Sequence, residues 1–155
     1  MAELNFRPDY FPNLKEIRIK FIPHAEQPQG MSGEWWCSKE ELGVIEVRIS
    51  HMGDLRCELA HASHEVTEIA ASITSKEAMS DEISDAYDNA FFVKQENKLL
   101  RIDEDEPGFG EGCPYGPGHH IGTAGEMGLC AFWGLNWIDY SIRVSEVAEG
   151  KVFDF

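Results

Sequence analysis

The chain has few basic residues: 13 Lys and Arg stand against 28 Asp and Glu, for a formal charge of -15. A surface of that sign repels phosphate backbones and anionic headgroups, so neither nucleic acid nor a membrane surface is an expected partner. Long apolar runs are lacking as well. No stretch of about 18 apolar residues occurs, and the run from Gly128 to Trp133 is short and broken by Asn136, which argues against a membrane span. The four cysteines, Cys37, Cys57, Cys113 and Cys130, form no C-x-x-C pair. Zinc-ribbon spacing and a dense disulfide framework are therefore both missing, and reduced, mostly packed thiols are expected. Met1 to Pro12 carries charges and two prolines where a secretory signal would place a basic start and an apolar core, so a cytoplasmic location is expected. Internal repeats and low-complexity tracts are absent too.

What is present suits one domain over 1–155, since a domain is usually roughly 100 to 200 residues. Hydrophobic residues make up 43%, with 4 Trp, 4 Tyr and 9 Phe. A chain of this size can bury about two thirds of its unfolded surface without a metal or disulfide, so a bound metal would point to function.

Lys15 to Ile22 alternates Ile17, Ile19 and Phe21 with charged neighbours until Pro23, the period of a half-buried strand. Gly43 to Ser50 repeats the pattern, with Ile45, Val47 and Ile49 on one face. Between them Gly30 and Gly33 precede a short strand, Glu34 to Cys37, closed by a turn from Ser38 to Glu41. A small antiparallel sheet is expected. Asp54 is a suitable N-cap for a helix from Leu55 to about Ser72, with Leu59, Ala62, Val66, Ile69 and Ile73 as its apolar stripe. A second helix is expected from Asp81 to about Asn97, buried through Ile83, Tyr87, Ala90 and Phe91. The acidic Asp103 to Glu106 follows, and then a loop from Pro107 to Gly118 with five Gly and three Pro. A third helix is read from about His119 to Trp133 and a fourth from Ile138 to Val147.

The first helix carries the chemistry. At about 100° per residue, His61, His64, Glu65 and Glu68 share an arc of roughly 100° beside the apolar stripe. His64 and Glu68 lie four apart, the spacing at which H-E-x-x-H helices present two zinc ligands and an intervening Glu base. Here Glu replaces the second His. An imidazole and a carboxylate are both ordinary zinc ligands, which leaves Glu65 to take a proton from bound water. The plain alternative is a solvated helix face with an i, i+4 polar pair. A third ligand could come from His119 at the start of the third helix, where the helix dipole disfavours a cationic ring. Thr123 and Glu126 share its face. His24 and His51 lie on loops and are read as bystanders.

Two resemblances add to this reading. Glu65-x-x-Glu68 with Glu82-x-x-Asp85 resembles the acidic pairs of all-helical nucleoside triphosphate pyrophosphatases of the MazG type, which implies magnesium held by carboxylates. That likeness is confined to the four acids and assigns no role to the N-terminal strands or the histidines. The order of motifs along the chain resembles a family of small uncharacterised phage and bacterial proteins. Its pattern is matched by Ser50 with Met52-Gly53-Asp54, His64-Glu65-Val66-Thr67-Glu68, Asp85-Ala86-Tyr87-Asp88, Glu106-Pro107-Gly108, Pro114-Tyr115, His119 with Glu126, and Gly134 to Tyr140 as G-x-x-W-x-x-Y. This chain departs from it at His51, where an acid is more usual, and at Gly116, where a bulkier or basic residue is. The resemblance implies a shared site built from His64, Glu65, Glu68, His119 and Glu126, and supplies no substrate.

The expectation is an α+β domain, a small antiparallel sheet packed against three to four helices, in a zincin-like order of edge strand then metal-binding helix. His64, Glu68 and His119 are the expected ligands of a divalent ion, zinc first, with Glu65 as base for hydrolysis of an amide or ester. His61, Asp85 and Glu126 are candidates to support those ligands or to add a fourth. The strand Gly43 to Ser50 could receive an extended peptide substrate along its edge. The alternatives are a non-enzymatic phage binding or assembly protein, with Trp35, Trp36 or Trp133 at a homo-oligomer interface, and the magnesium-dependent nucleotide hydrolase.

Overall fold

The computed structural model describes residues 14–28, 30–74, 92–95, 98–101, 108, 113 and 115–153. Three strands form one sheet: β1 (Glu16–Ile22), β2 (Gly33–Cys37) and β3 (Val44–Ser50). A 3-10 turn, His24–Glu26, follows β1. Helix α1 (Leu55–Thr74) leads to a separate hairpin of β4 (Phe92–Gln95) and β5 (Lys98–Arg101). The chain then forms α2 (Gly116–Trp133) and α3 (Trp137–Ala148). The architecture is α+β, as expected.

The sheet itself differs from the expectation. Its order is β1-β3-β2, with β2 antiparallel to β3 but β1 parallel to it, so the sheet is mixed and not wholly antiparallel. The alternation of apolar residues reports which face of a strand is buried and carries no information on its direction or neighbours. As a result β3 is the central strand. Both its edges are paired, which removes it as the peptide-receiving edge and breaks the expected sequence of edge strand then helix. Ile45, Val47 and Ile49 on its inner face are fully buried. On the outer face Glu46 takes Arg18 at 3.3 Å and Lys20 at 3.2 Å from β1.

Other boundaries also move. Residues 92–95, read as the end of a second helix, form β4, since Phe92 and Val93 favour a strand and Gln95 pairs with Lys98 across a two-residue connection. The earlier part of that helix, with Ile83, Asp85 and Tyr87, lies outside the described residues. The third helix starts at Gly116, three residues before His119, so Gly116 to Gly118 belong to it and not to the loop; Pro117 in the first turn suits a helix start. Asp54 caps α1 as expected, its Oδ1 accepting from the Arg56 N–H at 2.9 Å. Asn136 does the same for α3 through the N–H groups of Ile138 and Asp139.

Helix α1 lies between the sheet and α2, and it buries its polar arc together with part of the expected apolar stripe. Ala62 and Ile69 are buried, but Leu59, placed on the core stripe, is 41% exposed. The arc centred on His61 is covered as well: His61, His64, Glu65, Glu68 and Ser72 are all buried, with Glu58, Cys57 and Ala60 beside them. Two small residues of α2 make room for that polar face. A Cβ at Gly122 would lie 2.9 Å from His64 Cγ and 3.0 Å from the His64 carbonyl oxygen, and one at Gly118 would lie 3.1 Å from the Glu68 carbonyl oxygen. Cys57 and Cys130 are buried, Cys37 and Cys113 half-buried, and none of the four is in a disulfide. Trp35, Trp36 and Trp133 are half-buried and not open surface. Among the described residues no helix is long and apolar enough to cross a membrane.

The glycines of α2 give a test of this packing. Gly122→Ala should destabilise the fold by about 1 to 3 kcal/mol through overpacking against His64. Gly125→Ala, where an added Cβ meets nothing within 4 Å, should stabilise it by roughly 0.5 to 1 kcal/mol through helix propensity. Urea unfolding midpoints of the two variants would show opposite shifts; equal shifts would contradict the interface.

Candidate metal centre

Three side chains from two helices bring their donor atoms together. His64 and Glu68 are one turn apart on α1 and buried; His119 is in the first turn of α2 and half-buried. His64 Nε2 lies 3.0 Å from His119 Nδ1 and 3.4 Å from Glu68 Oε2, and His119 Nδ1 lies 3.2 Å from the same oxygen. The triangle has nearly equal edges. Donors about 2.0 to 2.1 Å from a common ion stand about 3.0 to 3.4 Å from one another in octahedral or tetrahedral arrangements. The expected ligand trio is thus brought together at distances suited to one cation, and among the described residues no other group of three such side chains is.

Glu68 and His64 are held from behind. The second oxygen of Glu68 accepts the indole N–H of Trp35 on β2 at 2.9 Å. Nδ1 of His64 meets Glu126 Oε2 at 3.0 Å, and the other oxygen of Glu126 meets His61 Nδ1 at 2.9 Å. The Tyr140 hydroxyl of α3 also donates to that second oxygen. His61 Nε2 in turn meets the Ser32 hydroxyl at 3.0 Å. Glu126, one of the candidate fourth ligands, therefore has both oxygens taken by groups on the far side of His64. His61 is likewise turned to Ser32 and Glu126. Glu65 is buried over Gly33 of β2, its Oε1 3.9 Å from His61 Nε2. Asp85 lies outside the described residues. Thr123 donates to the His119 carbonyl and joins no polar group of the site; His120 is exposed. His24 is occupied by the Ser50 hydroxyl at 3.0 Å, and His51 lies 3.6 Å from Glu58.

Trp35, Ser32 and Tyr140 join the site from outside the expected set of residues. Tyr140 closes the G-x-x-W-x-x-Y motif, and its place in that order was the one available sign. Trp35 and Ser32 carry no sign of their own, since only the sheet register brings them over α1.

The charges of the cluster follow from these contacts. Burial alone would lower the affinity of His64 for its proton, but hydrogen bonds to Glu126 and Glu68 and the charge of Glu65 outweigh it and raise its pKa to about 10. Burial would raise Glu68 and Glu126. The hydrogen bonds of Glu68 with His119, His64 and Trp35, and of Glu126 with His61 and His64, reverse this and hold both at about 2. Glu65 lacks such partners: burial first, and the charge of Glu68 second, push it up to about 7. Burial and the nearby Glu126 raise Tyr140, which keeps its proton.

No protein-family model, no curated protein and no solved structure matches the chain.

The His64 shift makes a pH prediction for the metal-free protein. A group with a raised folded pKa gives stability that is complete below its unfolded value of 6.5 and lost as the pH rises towards about 10. Unfolding free energy should therefore fall across that window, and His64→Ala should flatten the slope. Denaturant unfolding at a series of pH values checks the sign; a rising slope that depends on His64 would contradict the contacts.

Proposed function

We propose that the chain is a divalent-metal protein, zinc being the favoured ion, that works as a metallohydrolase on an amide or ester. The observation that carries the reading is the near-equilateral triangle of His64 Nε2, Glu68 Oε2 and His119 Nδ1. Two imidazoles and one carboxylate are a ligand set for zinc or a similar transition ion, whereas magnesium prefers oxygen donors throughout. Three protein ligands leave a position for water in a tetrahedral site. A bound ion of this kind lowers the pKa of its water towards about 7 and polarises a carbonyl.

The chain's own residues divide the remaining work. His64 and Glu68, held by Glu126 and Trp35, and His119 form the ligand face. Glu65 follows His64 on the same buried surface, and a carboxyl group placed there can take a proton from water and return it. Its role is general base towards the water and acid towards the leaving group. A peptide added as a strand would lie along β1 or β2, the outer strands, and β2 is the one that reaches the site through Trp35. Four cysteines outside any disulfide suit a cytoplasmic setting.

Elemental analysis of the purified protein tests the reading. One zinc or related ion per chain is expected, lost in His64→Ala and in His119→Ala. Glu65→Gln should keep the ion and lose at least a hundredfold in hydrolysis of amide or ester substrates. A protein that takes up no transition metal, with His64 irrelevant to its composition, would leave a non-enzymatic binding or assembly role, of phage type, in its place. Release of pyrophosphate from nucleoside triphosphates that survives His64→Ala would favour the magnesium reading.

A further inference from the structure

Resting on that metal reading, we infer that Glu126 and Tyr140 are positioning residues that set the ion's affinity from outside the ligand shell, by fixing which nitrogen of His64 faces the ion. Glu126 is met by three hydrogen-bonding groups at once. Tyr140 OH and His61 Nδ1 approach Oε1, and His64 Nδ1 approaches Oε2. A carboxylate only accepts hydrogen bonds, so each of the three must bring a proton to it. That assignment puts a hydrogen on Nδ1 of His64 and leaves Nε2, the atom at the corner of the donor triangle, as the ligand. It puts one on Nδ1 of His61 as well, whose Nε2 then accepts from the Ser32 hydroxyl. One buried side chain thus sets both rings of α1, and the partners of His61 agree with the tautomer demanded at His64.

The anchor is tied to α3. Tyr140 is buried in the first turn of that helix, its ring against Trp137 at 5.4 Å between centroids, and its hydroxyl is the contact by which α3 reaches Glu126. A helix that supplies no ligand therefore holds the group that orients one. Carboxylates behind metal-bound imidazoles raise ligand basicity and restrict ring rotation, and their loss costs about 10- to 100-fold in metal affinity.

Cobalt(II) is a suitable probe, because its visible absorption reports ligand geometry and its affinity can be measured against a competing chelator. Glu126→Gln should weaken cobalt binding about 10- to 100-fold. Tyr140→Phe, which keeps the ring and removes one hydroxyl, should weaken it by about threefold to tenfold, and both should alter the absorption band. Ser50→Ala removes a fully buried hydroxyl bonded to Gln27 and His24, away from the ligands. It should lower thermal stability and leave affinity and spectrum as they were, which separates positioning from general loosening of the fold. Failure of the unaltered protein to bind cobalt overturns the metal reading and this inference with it. Binding that is equally tight and spectrally unchanged in Glu126→Gln and Tyr140→Phe overturns this inference alone.

Discussion

Carboxylates and imidazoles are buried together along the contact of α1 with α2, and their mutual pairing is the constraint on which the rest of the fold depends. Glu65, Glu68 and Glu126 lie with His61 and His64 at the depth of a hydrophobic core. Ionised groups taken out of water are tolerated only when each finds a partner. Here Glu126 serves two histidines, Glu68 serves two more contacts and a tryptophan, and the spacing is set by Gly118 and Gly122, which let the second helix come close enough for those bonds to form. Leaving one member of such a set unpaired costs about 3 to 5 kcal/mol, a large part of the roughly 5 to 15 kcal/mol that holds a domain folded. The arrangement is therefore demanding as well as stabilising, and a chain able to fold around ordinary side chains keeps it at some expense.

Helical period was enough to place His61, His64, Glu65 and Glu68 on one arc, and the same spacing put His119 and Glu126 on one face. Both inferences depend only on rotation about a helix axis, which is local. The depth of that arc was not legible. Hydropathy assigns Leu59 to the interior, yet it is 41% exposed, because tertiary partners on α2 and β2 complement the polar side instead. Strand direction was likewise beyond an alternating pattern, so the parallel pairing of β1 with β3 had no signature. The contributions of Trp35 and Ser32 come from register across the sheet, and that of Tyr140 from the docking of a helix that begins near position 137. These are distant relations, set when the elements meet.

Glu65 differs in kind from its neighbours. Glu68 and Glu126 are saturated with donors and stay charged, while Glu65 sits over a glycine with its nearest imidazole 3.9 Å away. Adjacent carboxyl groups on one helix turn are thereby given opposite proton affinities by their surroundings alone. A side chain at position 33 would also crowd Glu65 and His61, so the bare backbone of β2 is part of what keeps this group as it is.

The candidate ligand triangle joins Glu68 to His119, residues 51 positions apart in the chain. An ion seated there would act as a cross-link closing a long loop, and the entropy of the unfolded chain would fall accordingly. Heat resistance and metal content would then rise and fall together, so that removing the ion would loosen the grip between the two helices before it disturbed the sheet.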